Sequence, residues 1–206
     1  MLHSRPFRAI PESRPRFCLR KGNFDKMGSN DNRSRLRGLY VIVDPEHTAG
    51  RLPEDITRAA LAGGATVIQL RDKISDKGPM LETAIKVSEL CKEAGALFFM
   101  NDHADVAVLS GADGLHVGQT YLPVAAARKV LVPDQMIGTS NHAMQEALAK
   151  IRGEIDGPIA AIGGINASNV GPVNAAGAEM ACVISAVGMA ADPETATREL
   201  VSLIDG

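Results

Sequence analysis

The chain has 206 residues, 45% of them apolar and 22% charged, with a formal net charge of −2 and a mean hydropathy of +0.00. That composition fits one globular domain, or at most two small ones, and excludes a chain disordered throughout. No run approaches the roughly 18 consecutive apolar residues of a membrane helix, the densest being Ala96–Met100, so a soluble protein with no membrane partner is expected. Cys18, Cys91 and Cys182 are odd in number, far apart and never in a CxxC pair. They suggest neither a disulfide framework nor a structural zinc site, and a reducing cytoplasm is the expected location.

The small net charge hides an asymmetry. Residues 1–38 carry ten Lys or Arg against Glu12, Asp25 and Asp31, a balance of +7, which leaves 12 basic against 21 acidic residues, or −9, in the remainder. Pro6, Pro11 and Pro15 break any amphipathic targeting helix, and no apolar core of a secretory signal is present. Met27 is a second possible start, followed by the polar stretch Gly28–Asn32. Residues 1–36 are therefore expected to be a disordered basic tail without a nucleic-acid partner, and residues 37–206 a single domain.

From Leu39 onward short apolar runs alternate with stretches of helical spacing. In chain order the runs are Leu39–Val43, Thr66–Leu70, Ala96–Met100, Gly114–Val117, Met136–Ser140, Ile159–Ile162 and Met180–Ser185. They are too short for helices and lack polar alternation, as expected of strands buried on both faces of a parallel sheet. Between them Glu54–Ala62 and Met80–Cys91, and after them Pro193–Ile204, repeat apolar residues three and four apart, the mark of amphipathic helices. The alternation predicts right-handed βαβ units. Residues 38–206 number 169, about 21 per unit for eight units and about 24 for seven, so an incomplete barrel of seven parallel strands is expected.

Gly-Ala phrases at Gly64-Ala65, Gly111-Ala112 and Gly177-Ala178 fall between a helix and a strand, where glycine can end the helix in a left-handed conformation. Polar residues gather just after the strands: Asp44, Arg71, Lys73, Asn101, Asp102, Gln119, Ser140, Gly163, Gly164 and Ser185. In a TIM-type (β/α) barrel those ends converge on one mouth, whereas a doubly wound sheet would spread them along an edge.

Six phrases in order, Gln69-Leu-Arg-Asp-Lys73, Asn101-Asp102, Gly111 to Gln119 with Leu122-Pro123, Ile137 to His142, Ala161 to Ile165 and Val183 to Ala186, resemble the thiamine phosphate synthase family. The resemblance runs from about Leu39 to Ile204. It implies a TIM-barrel transferase that couples hydroxymethylpyrimidine diphosphate to a thiazole phosphate, releasing pyrophosphate and giving thiamine phosphate. It implies Mg²⁺ as cofactor, with Asp102 as a ligand. Arg71, Lys73 and Ser140 would act on the leaving diphosphate, Gln69 would orient the pyrimidine, and Asn101 would bind beside the metal. Gly164, Ile184 and Ser185 would bind the thiazole phosphate through backbone N–H groups. The partners implied are these two small molecules, and homo-oligomerisation is open.

Two departures from the family pattern stand out. Tyr121 occupies the position of an expected acidic Mg²⁺ ligand, and a neutral phenol is a poor ligand for a hard cation. The text after His142 also runs directly to Gly157-Pro158, without the family's sixth strand and the Thr- and Lys-bearing loop after it. Slow turnover is therefore expected. Two alternatives follow: a thiazole tautomerase-like isomerase using His142, or a non-catalytic binder of phosphate ligands. His116, on a short buried strand, is expected to be a core side chain.

Overall fold

The computed structural model describes residues 16–18, 32, 34–140, 143–144 and 157–205. The strands are β1 (Arg16–Cys18), β2 (Gly38–Val43), β3 (Val67–Leu70), β4 (Leu97–Asn101), β5 (Gly114–Val117), β6 (Met136–Thr139), β7 (Ala143–Met144), β8 (Ala160–Ile162) and β9 (Met180–Val183). The helices are α1 (Pro53–Ala62), α2 (Lys77–Ala94), α3 (Ala104–Leu109), α4 (Val124–Val130), α5 (Val170–Ala175), α6 (Ser185–Gly188) and α7 (Pro193–Asp205). The sheet order is β6-β5-β4-β3-β2-β9-β8-β1-β7. From β6 through to β8 all pairings are parallel, which gives the seven parallel strands expected from the apolar runs.

The two remaining strands lie beyond β8. β1, from within the stretch expected to be unordered, runs antiparallel to β8 with Arg16 opposite Ile162, and β7 pairs with its other edge. Among the described residues no parallel strand lies between β6 and β8 in the chain, and β6 pairs with β5 alone. Among the described residues the barrel wall is therefore open on that side.

The helices form because their apolar residues share one face. On α2 the buried positions Met80, Ala84, Val87, Ser88 and Cys91 follow helical spacing, and Gly95 ends the helix with φ +70. On α7 Pro193, Thr197 and Leu200 face inward, and Asp192 caps the first turn through Glu194 N at 3.1 Å and Thr195 Oγ1 at 2.6 Å. Gly111 and Gly177 take φ +65 and +92, as the Gly-Ala phrases predict.

Strand alternation divides the core in two. Leu39, Val41, Val43, Ile68, Leu70, Phe98 and Met100 pack with the helices in the larger cluster. Tyr40, Ile42, Val67, Leu97, Phe99, Met180 and Cys182 point the other way and fill the inside of the curled sheet. Gln69 and Asn101 share the inward parity of Val67 and Phe99, so the parallel register brings these polar side chains to the inner face near the C-terminal ends.

Candidate active site

The site is built from the C-terminal ends of the parallel strands. At its floor the Tyr40 hydroxyl donates to Gln69 Oε1 at 3.2 Å, and Gln69 Nε2 donates to Asn101 Oδ1 at 3.3 Å. Asn101 Nδ2 in turn donates to Asp102 Oδ2, which also receives Lys73 Nζ. The second oxygen, Oδ1, accepts from Gly118 N at 2.8 Å. Asp102 is buried and held at φ +62, a left-handed conformation that Asp tolerates better than most side chains. Its own N–H donates to His116 O at 2.7 Å, so β5 helps to hold that backbone.

Two cations flank this chain of contacts. Arg71, just past β3, pairs with the fully buried Asp44 at the end of β2. Asp44 also accepts from Glu46 N at 3.0 Å, which starts the 3₁₀ turn Pro45–His47. Lys73 Nζ donates to the Tyr121 hydroxyl at 2.8 Å and lies 4.2 Å from the centroid of the Tyr121 ring. Burial works against the Lys73 charge, but hydrogen bonds to Asp102 and Tyr121 outweigh it and raise the ammonium above its ordinary pKa. Beside this pair lies a cavity of about 290 Å³ lined by Asp72, Lys73, Ser75, Asp76, Lys77, Met80, His103 and Tyr121.

The remaining residues singled out in the sequence sit on neighbouring strand ends. Ser140, just past β6, makes a 2.8 Å hydrogen bond with His116 Nε2. His116 is thus partly exposed and joined to Ser140, where the sequence pattern suggested only a core role. Burial pushes its pKa down to about 4, against a small opposing effect of Asp102, so the ring is neutral at pH 7. Gly164 follows β8 with φ +63, after Gly163 at φ +125. Ile184 follows β9 at φ −119 and ψ −83 and precedes Ser185, the exposed first residue of α6. Thus Gln69, Lys73, Asn101 and Asp102 are joined by contacts, and Arg71 and Ser140 each have another partner at the mouth. Gly164, Ile184 and Ser185 lie at the ends of β8 and β9, on the far side of β2. His142 lies outside the described residues.

Sequence reasoning did not assign Tyr40 or His116 to this site. Asp44 was visible as a polar residue after a strand, but its pairing with Arg71 depends on β2 lying beside β3.

The donor set does not fit a tightly held Mg²⁺. Asp102 is the single carboxylate of the contact chain, and the oxygen that a cation would approach already carries an ammonium and an amide. Among the described residues no group of three or more His, Cys, Asp or Glu could hold a metal ion.

A (β/α) barrel sheet with cationic and polar side chains gathered at its C-terminal mouth has the architecture of a barrel enzyme, whose active site sits at that mouth. The description "Thiamine monophosphate synthase" matches residues 39–156, and the chain belongs to this family of transferases. The thiamine-phosphate synthase of Methanoculleus marisnigri is 38% identical over 195 residues, covering 79% of this chain and 92% of its own. That of Laribacter hongkongensis is 40% identical, covering 80% of this chain and 94% of its own. The solved thiamine phosphate pyrophosphorylase of Pyrococcus furiosus is 32% identical with a TM-score of 0.78, covering 84% of this chain and 98% of that one. In the first of these alignments 79% of this chain is about 163 residues, so about 30 of the 195 positions have no counterpart here. A deficit of that length agrees with the expectation, from the sequence, of a chain without the family's sixth strand and the loop after it.

Proposed function

We propose that this chain joins hydroxymethylpyrimidine diphosphate to thiazole phosphate, giving thiamine phosphate and pyrophosphate. The observation that carries this reading is the contact chain from Tyr40 through Gln69, Asn101 and Asp102 to Lys73, with Arg71 beside it on β3. It combines amide groups suited to an aminopyrimidine with two cations suited to a diphosphate.

In this reading the C–O bond between the pyrimidine methylene and the diphosphate breaks, and its electron pair leaves with pyrophosphate. The thiazole nitrogen lone pair then forms the new C–N bond to the methylene, leaving a positively charged thiazolium. No proton transfer is required, so catalysis rests on holding both substrates and meeting the developing charge. Arg71 offers a planar fork to the diphosphate and Lys73 a point charge. Ser140 donates to a leaving oxygen when neutral His116 carries its proton on Nε2 and points it at Oγ, because the hydroxyl hydrogen is then free. Backbone N–H groups at Gly164, Ile184 and Ser185 receive the thiazole phosphate. The Mg²⁺ implied by the family would have Asp102 as its one carboxylate and Lys73 as its competitor.

Residues 37–206 carry this activity, in the cytoplasm and on small-molecule substrates, and the basic tail does not take part in the reaction. Pyrophosphate release from the two substrates, with and without Mg²⁺, tests the assignment. Arg71→Ala is expected to lower kcat/KM about 10²-fold. Absence of release by the unaltered chain under both conditions would leave the non-catalytic binder as the correct reading, provided that pyrophosphate still binds.

A further inference from the structure

We propose that Tyr121 is a positioning residue that fixes the Lys73 ammonium at the barrel mouth, so that the site carries a built-in cation for a diphosphate-bearing ligand. This rests on the phosphate-handling reading above. A lysine stem has four rotatable bonds and rotamer entropy to lose, so an unrestrained ammonium would occupy the required position only part of the time. Here Lys73 meets two groups at once: the Asp102 carboxylate and the Tyr121 hydroxyl at 2.8 Å, with the ammonium 4.2 Å from the centroid of the ring.

The loop that bears Tyr121 is anchored by the same carboxylate. Gly118 N donates to Asp102 Oδ1 at 2.8 Å, and Tyr121 N donates back to Gly118 O at 3.3 Å. A Cβ added at Gly118 would lie 3.3 Å from Tyr121 Cδ2 and 3.5 Å from Asp102 Oδ1, which shows how closely the loop packs over the pair. Tyr121 itself belongs to neither apolar core cluster and is 44% exposed, so its aromatic ring is not there to fill the interior.

The chemistry of the phenol matters as much as its place. A carboxylate at position 121 would neutralise the ammonium and provide a second hard ligand for a divalent cation. The phenol does neither. Its oxygen accepts one N–H and leaves the positive charge to be shared between Asp102 and an incoming anion. The consequence is recognition of pyrophosphate that does not depend on prior loading with Mg²⁺.

The test uses the full chain and two variants, Tyr121→Phe, which removes only the hydroxyl, and Tyr121→Leu, which removes the ring as well. The Lys73 ammonium signal is followed by ¹H–¹⁵N NMR, and calorimetry measures binding of inorganic pyrophosphate without Mg²⁺. In the unaltered protein the Lys73 ammonium is expected to be protected from exchange and pyrophosphate to bind. Tyr121→Phe is expected to weaken pyrophosphate binding about three- to tenfold and to broaden the ammonium signal. Tyr121→Leu is expected to do more of both, at unchanged global fold by circular dichroism. A Lys73 signal and a pyrophosphate affinity that both stay unchanged in folded Tyr121→Leu protein overturn the proposal. Failure of the unaltered chain to bind pyrophosphate without Mg²⁺ also overturns the proposal, whereas failure to bind it with Mg²⁺ present as well overturns the functional reading.

Discussion

Acidification offers a direct measure of how His116 is held. In the unfolded chain an ordinary histidine takes up a proton near pH 6.5, whereas in the folded protein His116 does so only near 4. Between those values the unfolded state binds more protons, so stability rises with pH across this window and is lost as pH falls from about 6.5 towards 4. At pH 5 the difference between the two titrations is worth about 2 kcal/mol, against about 0.2 kcal/mol at pH 7. Partial exposure of the ring reduces the expected loss to about 1–2 kcal/mol. With a urea slope of about 2 kcal/mol/M this corresponds to a midpoint lower by about 0.5–1 M. The assay is urea unfolding at pH 7 and pH 5 of the unaltered chain and of His116→Gln, whose amide can reach Ser140 but does not titrate. Subtracting the variant's pH response removes the carboxylates and the other histidines common to both proteins. Equal pH sensitivity of the two would refute the claim that burial keeps His116 neutral at pH 7.

Three further outcomes are expected. Gly188→Ala would place a Cβ 2.2 Å from His47 O, and the Arg51 contacts to Gly188 O and Ala190 O would shift with the backbone, so a loss of about 2–4 kcal/mol in urea unfolding is expected. Gly171→Ala, in α5 with nothing within 4 Å of the added Cβ, is expected to gain about 0.5 kcal/mol in the same assay, and a loss there would contradict the open space assigned to it. Tyr121→Asp alone is expected not to raise turnover to the level of a complete family member, whereas the same change with a family-like segment inserted between Ala149 and Ile151 is expected to raise it at least 10²-fold, since each restored charge contributes about 3 kcal/mol. Steady-state pyrophosphate release checks both, and full activity of the unaltered chain would show that other residues supply those charges.

The sequence determined the parts of this protein that depend on neighbours along the chain. Runs such as Leu39–Val43 and Ala96–Met100 can be buried on both faces only as strands of a covered parallel sheet, and the spacing from Met80 to Cys91 has one apolar face only as a helix. The order of these pieces implies that strand ends share one mouth, which is why Arg71, Lys73, Asn101, Asp102 and Ser140 were legible as a group, while Gln69 was added by the family resemblance. Their partners were decided only by tertiary structure. Asp44 meets Arg71 because β2 and β3 pair with Val43 opposite Leu70, and His116 reaches Ser140 because β5 and β6 pair with Val117 opposite Thr139. Tyr121 read as a lost metal ligand in the sequence, yet in the fold it closes on Lys73 through a loop tied to Asp102. The antiparallel place of Arg16–Cys18 beside β8 was likewise invisible in composition, since an open sheet edge offers backbone N–H and C=O groups to a strand whatever its side chains. Periodicity is written locally, but which residues face each other depends on register between segments far apart in the chain, and only the packed sheet fixes that.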